Sequence, residues 1–303
     1  MRAPVRRSLA LVTALALSAG LTSCGSEKEQ SGSGPTSSSS APTSSTAAAS
    51  SSAAPTSATS SAPAGPAPAN TGAELASRVR AATDKEKSVH VEMRSAADPD
   101  VIRMDMTNKG KGEGDTSLTA GSTQLRSVGD TVYVQEPDLA GRTWLRIDDD
   151  SDSAAGVLLL PLVMVGVVTD VDSQAEIWSK GTVASKGTES VAGVQTTHYT
   201  VTVAGEHVRA AFKGATGGQA GASAAKPGDK PVTYDVWLDQ RDRPARVKVD
   251  LNAIDAATGK KPSSSAGPAV ATIDYTRWSA PVTIAAPPAN QVKDADAVLG
   301  AGK

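Results

Sequence analysis

Cysteine is almost missing from this chain: Cys24 is the only one in 303 residues. A disulfide within the chain is therefore excluded, and any fold must stand on packing alone. With no other thiol, a cysteine nucleophile is excluded as well. Histidine is nearly as scarce. His90, His198 and His207 show no HExxH or paired-ligand spacing, so nothing in the sequence calls for a metal or another cofactor. No GxSxG elbow occurs, and Gly217-Gly218 lacks the strand-before, helix-after context of a phosphate cradle. The densest acidic cluster, Asp148-Asp149-Asp150 with Asp152, has neither the glycine nor the distal glutamate of an EF-hand and reads as a solvated loop. Long apolar runs are missing too. Val157–Val168, interrupted by Pro161, is too short to span a bilayer. Aromatic residues number four Trp, four Tyr and one Phe. A broad sheet lined by Ala and Val leaves volume unfilled, and apolar cavities accept apolar guests. A chain-wide bias toward Ala and Gly explains the same composition.

What is present begins at the N-terminus. Arg2, Arg6 and Arg7 precede an uncharged stretch, Ser8–Leu21, and Leu21-Thr22-Ser23-Cys24-Gly25 closes it. This is a signal peptide with its basic, apolar and small-residue regions. It also matches the bacterial lipobox, in which the cysteine takes a diacylglyceryl group and becomes the first residue of the mature chain. Residues 1–23 are thus expected to be a lipoprotein signal peptide, with Cys24 the lipid anchor in the cell membrane. Sec export is the default, the twin-arginine route being unsupported around Arg6-Arg7. Removing 1–23 leaves 27 basic against 32 acidic residues, a balance of −5 with no basic footprint for nucleic acid.

Residues 24–70 follow as a tether. Ser26–Asn70 is almost wholly Ser, Thr, Ala, Pro and Gly, and cannot bury enough surface to offset its conformational entropy. Flexible-chain scaling gives a span of about 35–40 Å. The folded part is assigned to 71–303. Thr71-Gly72-Ala73-Glu74 has the capping-box spacing, and Leu75, Val79 and Ala82 follow at helical intervals, predicting a helix over Ala73–Lys85. The period then becomes two. Val89, Val91 and Met93 alternate with polar residues, as do Ile102, Met104 and Met106. Thr123–Val128 and Thr131–Gln135 flank the hairpin pair Gly129-Asp130. Further strands are predicted at Thr143–Asp148, Gly181–Lys186, Thr196–Val203, Val232–Asp239, Ala245–Asn252 and Ala269–Trp278. Ser153–Ser179 reads as one helix or two, and Gly214–Lys230 as a loop. About ten alternating strands with few helices imply an α+β fold: an antiparallel sheet with one packed and one wet face.

Taken in order, several segments resemble the LppX/LprG group of mycobacterial lipoproteins, whose fold is related to LolA. They are the lipobox at Cys24, Lys87-Ser88-Val89-His90-Val91, the hairpin Gly129-Asp130-Thr131-Val132-Tyr133-Val134, and Trp144. The stretch ending Thr196-Thr197-His198-Tyr199, then Tyr234-Asp235-Val236-Trp237-Leu238-Asp239, and Asp274-Tyr275-Thr276-Arg277-Trp278 complete the series. The resemblance runs from Glu74 to Pro288. It implies a curved antiparallel half-barrel with helices on its concave side, and a non-catalytic protein that carries or senses a lipid or glycolipid.

Val157, Leu158, Leu159, Leu160, Leu162, Val163 and Val165 are then candidate lining residues. Met93, Met104 and Met106 join them if their face is the concave one, methionine adapting readily to irregular guests. Taken without the resemblance, the 157–165 stretch reads first as a core helix laid across the sheet. A second expectation is a regulatory or scaffolding module that contacts a cell-envelope protein. A third, an unrecognised hydrolase, requires a polar cleft with a perturbed acid or a histidine pair.

Overall fold

The computed structural model describes residues 67–96, 98–110, 114–137, 143–147, 165–215, 228, 230–261 and 267–299. Cys24, the Asp148-Asp149-Asp150 cluster and Val157, Leu158, Leu159, Leu160, Leu162 and Val163 lie outside them. Helix α1, Gly72–Thr83, starts as its sequence dictates: the Thr71 hydroxyl accepts from the Glu74 amide at 3.1 Å. Glu74 reaches back to accept from the Asn70 amide, one residue ahead of the cap. Residues at the end of the expected tether are docked here. Ala69 is buried and donates its amide to the Tyr199 hydroxyl, while Arg78 donates to the Ala67 carbonyl and to Asp242.

Twelve strands form one sheet. They are β1 Ser88–Ser95, β2 Asp98–Thr107, β3 Thr116–Ala120, β4 Thr123–Val128, β5 Thr131–Gln135, β6 Trp144–Ile147, β7 Thr182–Val191, β8 Val194–Val203, β9 Val232–Asp239, β10 Pro244–Asp250, β11 Val270–Thr276 and β12 Val292–Asp294. Their order is β12-β6-β5-β4-β3-β2-β1-β11-β10-β9-β8-β7, open at both ends. Every pair is antiparallel except β12 with β6, a three-residue parallel addition that the alternation pattern did not announce. Among the described residues the sheet is joined by α2 Val171–Trp178, α3 Gly205–Ala215, α4 Leu251–Thr258 and α5 Ala295–Leu299, with a helical stretch at 165–169 and a 3-10 turn at Ala289–Gln291. Gly214, expected in the loop, instead belongs to α3.

Alternation sorts the side chains. One inner row runs Leu145, Val134, Leu125, Leu118, Met104, Val91, Tyr275 across seven neighbouring strands. Another runs Met93, Ile273, Val247, Val236, Tyr199. Both rows join a single hydrophobic core with Leu75 and Val79 of α1, Ile177 and Trp178 of α2, Phe212 of α3 and Ile254 of α4. Each such side chain, fully buried, contributes about 1.5–3 kcal/mol. Twelve strands laid flat would be roughly 55 Å wide, too broad for so few helices to cover. The sheet instead curves around them as an open half-barrel, the usual outcome for so many strands. The opposite, convex face carries charge: Arg103 pairs with Glu92 at 3.2 Å, and Arg246 and Arg94 flank Asp274 at 2.6 and 3.2 Å.

Candidate functional site

Helices α1 and α2 pack side by side. Gly72 lets the two helices meet, because a Cβ there would lie 2.1 Å from the Trp178 carbonyl oxygen and 2.5 Å from that of Gly181. At their other ends Arg80 of α1 donates to the Asp172 carbonyl oxygen of α2 at 3.4 Å, and the residues just past α1 and just before α2 stand beside residues of β1 and β2. A half-open pocket of about 540 Å³ lies there, within the usual size of ligand sites, ~300–1,000 Å³. Its apolar wall is Val89 and Met106, which are register partners on β1 and β2, with Val171 of α2 and Trp278 beyond β11. Its polar rim holds Thr83, Asp84, Glu86, Asp170 and Asp172, with Asn108 from the β2–β3 connection and Thr116 at the start of β3.

Local chemistry holds these groups in place. Asp170 caps α2 by accepting from the Ser173 amide at 2.8 Å. Trp278 donates its indole N–H to the Pro244 carbonyl and stacks on Tyr275, ring centroids 6.2 Å apart. The Tyr275 hydroxyl donates to the Thr169 carbonyl at 3.0 Å, so β11 is tied to the helical stretch 165–169 just before α2. The two rim acids Glu86 and Asp172 differ. Burial alone would raise the Glu86 carboxyl, but hydrogen bonds from Ser279 and Arg243, with the Arg243 charge, hold it below the usual carboxylate range. Partial burial pushes the Asp172 carboxyl up, helped by Asp170 and Asp84 and opposed by Arg80.

The candidate residues from the sequence separate into three groups. Met106 lines the pocket. Met93 and Met104 face the same way but are packed into the core, Met104 against the Thr169 hydroxyl, and Val165 packs on the core's edge half-buried. The remaining apolar candidates, like Cys24, are outside the described residues. Sequence reasoning passed over Val89, Val171 and Trp278. It also passed over Gln174, whose signal was a polar residue on the otherwise apolar stripe Val171, Ala175, Trp178.

That stripe faces an unusual patch of core. Gln174, Trp178 and Tyr234 are each at most 1% exposed, yet Gln174 Oε1, Trp178 Nε1 and the Tyr234 hydroxyl have no hydrogen-bond partner among the described residues. Each such group costs about 1–3 kcal/mol when left unsatisfied, so three in one neighbourhood require an explanation. Burial pushes the Tyr234 hydroxyl's pKa far up. Among the described residues there is no group of three or more metal-ligating side chains, and no helix is long and apolar enough to cross a membrane.

No protein-family model matches the chain, and no curated protein matches its sequence. Among solved structures it is similar to the Mycobacterium tuberculosis lipoprotein LppX, at 17% identity and a TM-score of 0.43, over 70% of this chain and 98% of that one. LprF from Mycobacterium bovis is similar at 14% identity and a TM-score of 0.43, over 71% and 96%. A LolA superfamily protein from Nitrosomonas europaea shows 12% identity and a TM-score of 0.26, over 73% and 97%. The architecture stands on strand order and packing.

Proposed function

We propose that this chain is a non-catalytic, extracytoplasmic lipoprotein that binds the acyl part of a lipid or glycolipid between the concave sheet face and its helices. The observation that carries this reading is the pocket beside the ends of α1 and α2. Its apolar wall of Val89, Met106 and Val171 belongs to the same inner face as the core, so an apolar chain entering there continues along buried surface. Burial of such a chain is favourable by about 25 cal/mol per Å² before the costs of association. Val157, Leu158, Leu159, Leu160, Leu162 and Val163, with Val165, Met93 and Met104, complete the proposed lining.

In this reading 1–23 is the signal, Cys24 the lipid anchor, 24–70 the tether and 71–303 the lipid-binding domain. Two or three acyl chains on Cys24 make anchoring stable, so the domain works as a tethered acceptor, donor or sensor rather than a free shuttle. Organic extraction of the purified full-length chain, which leaves covalent lipid behind, should release an acyl lipid in near-stoichiometric amount; an empty extract, with no uptake of added lipid, contradicts the reading. Cys24→Ala should move the protein out of the carbonate-washed membrane fraction while its circular dichroism is unchanged.

A second reading, a module that contacts an envelope protein, draws on β7. This ten-residue edge strand is exposed along nearly its whole length, the kind of edge to which a partner adds a strand. A stoichiometric protein partner captured without any bound lipid would favour it.

A further inference from the structure

Val171, Gln174 and Trp178 form one line along α2. Their i, i+3, i+7 spacing keeps them on the helix face toward the sheet, over roughly 10 Å of axis. Val171 is in the pocket wall, so the line begins at the pocket and runs inward. Opposite its inner end stands Tyr234 of β9, edge-on to Trp178 with ring centroids 6.4 Å apart. The polar atoms at that end form a mixed set. Trp178 Nε1–H donates, Gln174 Oε1 accepts, and the Tyr234 hydroxyl does either. None of the three finds a hydrogen-bond partner among the described residues. Gln174 is held in orientation all the same, because its amide nitrogen donates to the Val167 carbonyl at 2.7 Å, leaving the oxygen as the free end.

Resting on the lipid-binding reading above, we infer that Gln174, Trp178 and Tyr234 receive the uncharged polar linkage of the bound lipid. The linkage that fits is an ester carbonyl with a neighbouring hydroxyl, as in a partial acylglycerol. The carbonyl oxygen accepts from Trp178 and Tyr234, and the hydroxyl donates to Gln174. A carboxylate does not suit the place. An anion buried this deeply needs a compensating cation, and burial already pushes the neighbouring Tyr234 hydroxyl's pKa far up. A free fatty acid is thus disfavoured at this depth, and a plain alkane leaves all three atoms unsatisfied.

The test uses the full-length chain loaded with a pyrenyl alkane, displaced in turn by 1-monopalmitoylglycerol, palmitate and octadecane. The ester and the alkane differ in their own solubility, so the quantity read is the change in their ratio between wild type and variants. Tyr234→Phe removes one unpartnered group and should fold normally; Gln174→Leu removes the free oxygen together with the amide bond to the Val167 carbonyl, and circular dichroism checks its fold. Each should lower the ester's advantage over octadecane by roughly three- to tenfold, the range of one hydrogen bond, while octadecane displacement is unchanged. Palmitate should compete less well than the ester at neutral pH. An ester-to-alkane ratio that is the same in wild type and both variants overturns the inference and leaves lipid binding standing. Failure of the pyrenyl alkane and all three competitors to bind contradicts lipid binding itself, and the inference falls with it.

Discussion

Two aromatic residues on β9, three positions apart, lie on opposite faces of the sheet and are finished differently. Trp237, on the convex side, is 7% exposed and fully engaged. Its indole N–H donates to Glu189 at 2.6 Å, His198 stacks on it with centroids 4.3 Å apart, and the Lys248 ammonium lies 5.4 Å from its ring. His198 in turn sits 3.1 Å from Glu189 and 3.0 Å from Asp235. Tyr234, on the concave side, is wholly buried and its hydroxyl has no hydrogen-bond partner among the described residues. The convex cluster satisfies its polar tips among its own residues and is complete as structure. The concave face packs its apolar side chains but, among the described residues, leaves Gln174 Oε1, Trp178 Nε1 and the Tyr234 hydroxyl without a hydrogen-bond partner.

The comparison breaks first if the concave face does not carry the fold. Ile273, wholly buried between Met93 and Val247 at the middle of the sheet, is the place to test it. Ile273→Ala should lose about 2–5 kcal/mol in urea unfolding. Arg94→Ala on the convex side, which removes exposed ion pairs with Glu92 and Asp274, should lose less than about 1 kcal/mol. Equal losses would dissolve the distinction.

A finer test sets the two aromatic neighbourhoods against each other. Glu189→Ala removes the Trp237 acceptor and should cost about 1 kcal/mol. Tyr234→Phe removes a hydroxyl that has no partner and should change stability by less than about 0.5 kcal/mol, or raise it. A large loss from Tyr234→Phe would show the hydroxyl to be structural after all.

The smallest effects belong to the pocket rim. Glu86, held below the ordinary carboxylate range by Ser279 and Arg243, contributes stability that is present above its unfolded value and lost as pH falls through its lower folded value. Asp172 has the opposite sign. Its folded carboxyl keeps its proton to higher pH than the unfolded one, so stability is lost as pH rises from the ordinary value through the raised one. Asp172→Asn should therefore raise stability at pH 7, and Glu86→Gln should lower it, each by below about 1 kcal/mol. Thermal unfolding followed from pH 3 to 7 reads both.

Much of the sheet was legible because its alternation is clean. The β4–β5 hairpin falls on Thr123–Val128 and Thr131–Gln135 as read, since Gly129 takes the positive φ of +59° that the turn needs. Helix α4 was missed for the opposite reason. Asp250 ends β10 and caps α4 in one residue, accepting from the Asn252 amide, so no loop separates strand from helix. The only signals were that aspartate and Gly259, which closes the helix at φ +75°. Strand β3 offers only Leu118 and the small Ala120 as inward apolar residues, and β12 is three residues long, too little for any period to show. At the site, Met106 was reached by facing direction alone. Pocket and core cannot be told apart along one strand, because Met104 and Met106 share a face and differ only in what stands above them.

The central claim is that an acyl chain lies between the concave face and α2. A palmitoyl glycerol ester with a diazirine at the chain end, photolysed in the full-length chain and mapped by peptide mass spectrometry, tests it most directly. The account expects crosslinks confined to inward-facing residues such as Val89, Met104, Met106 and Val171, abolished by excess 1-monopalmitoylglycerol. Crosslinks scattered over Arg94, Arg103 and Lys248 on the convex face, or none that saturate, would contradict it.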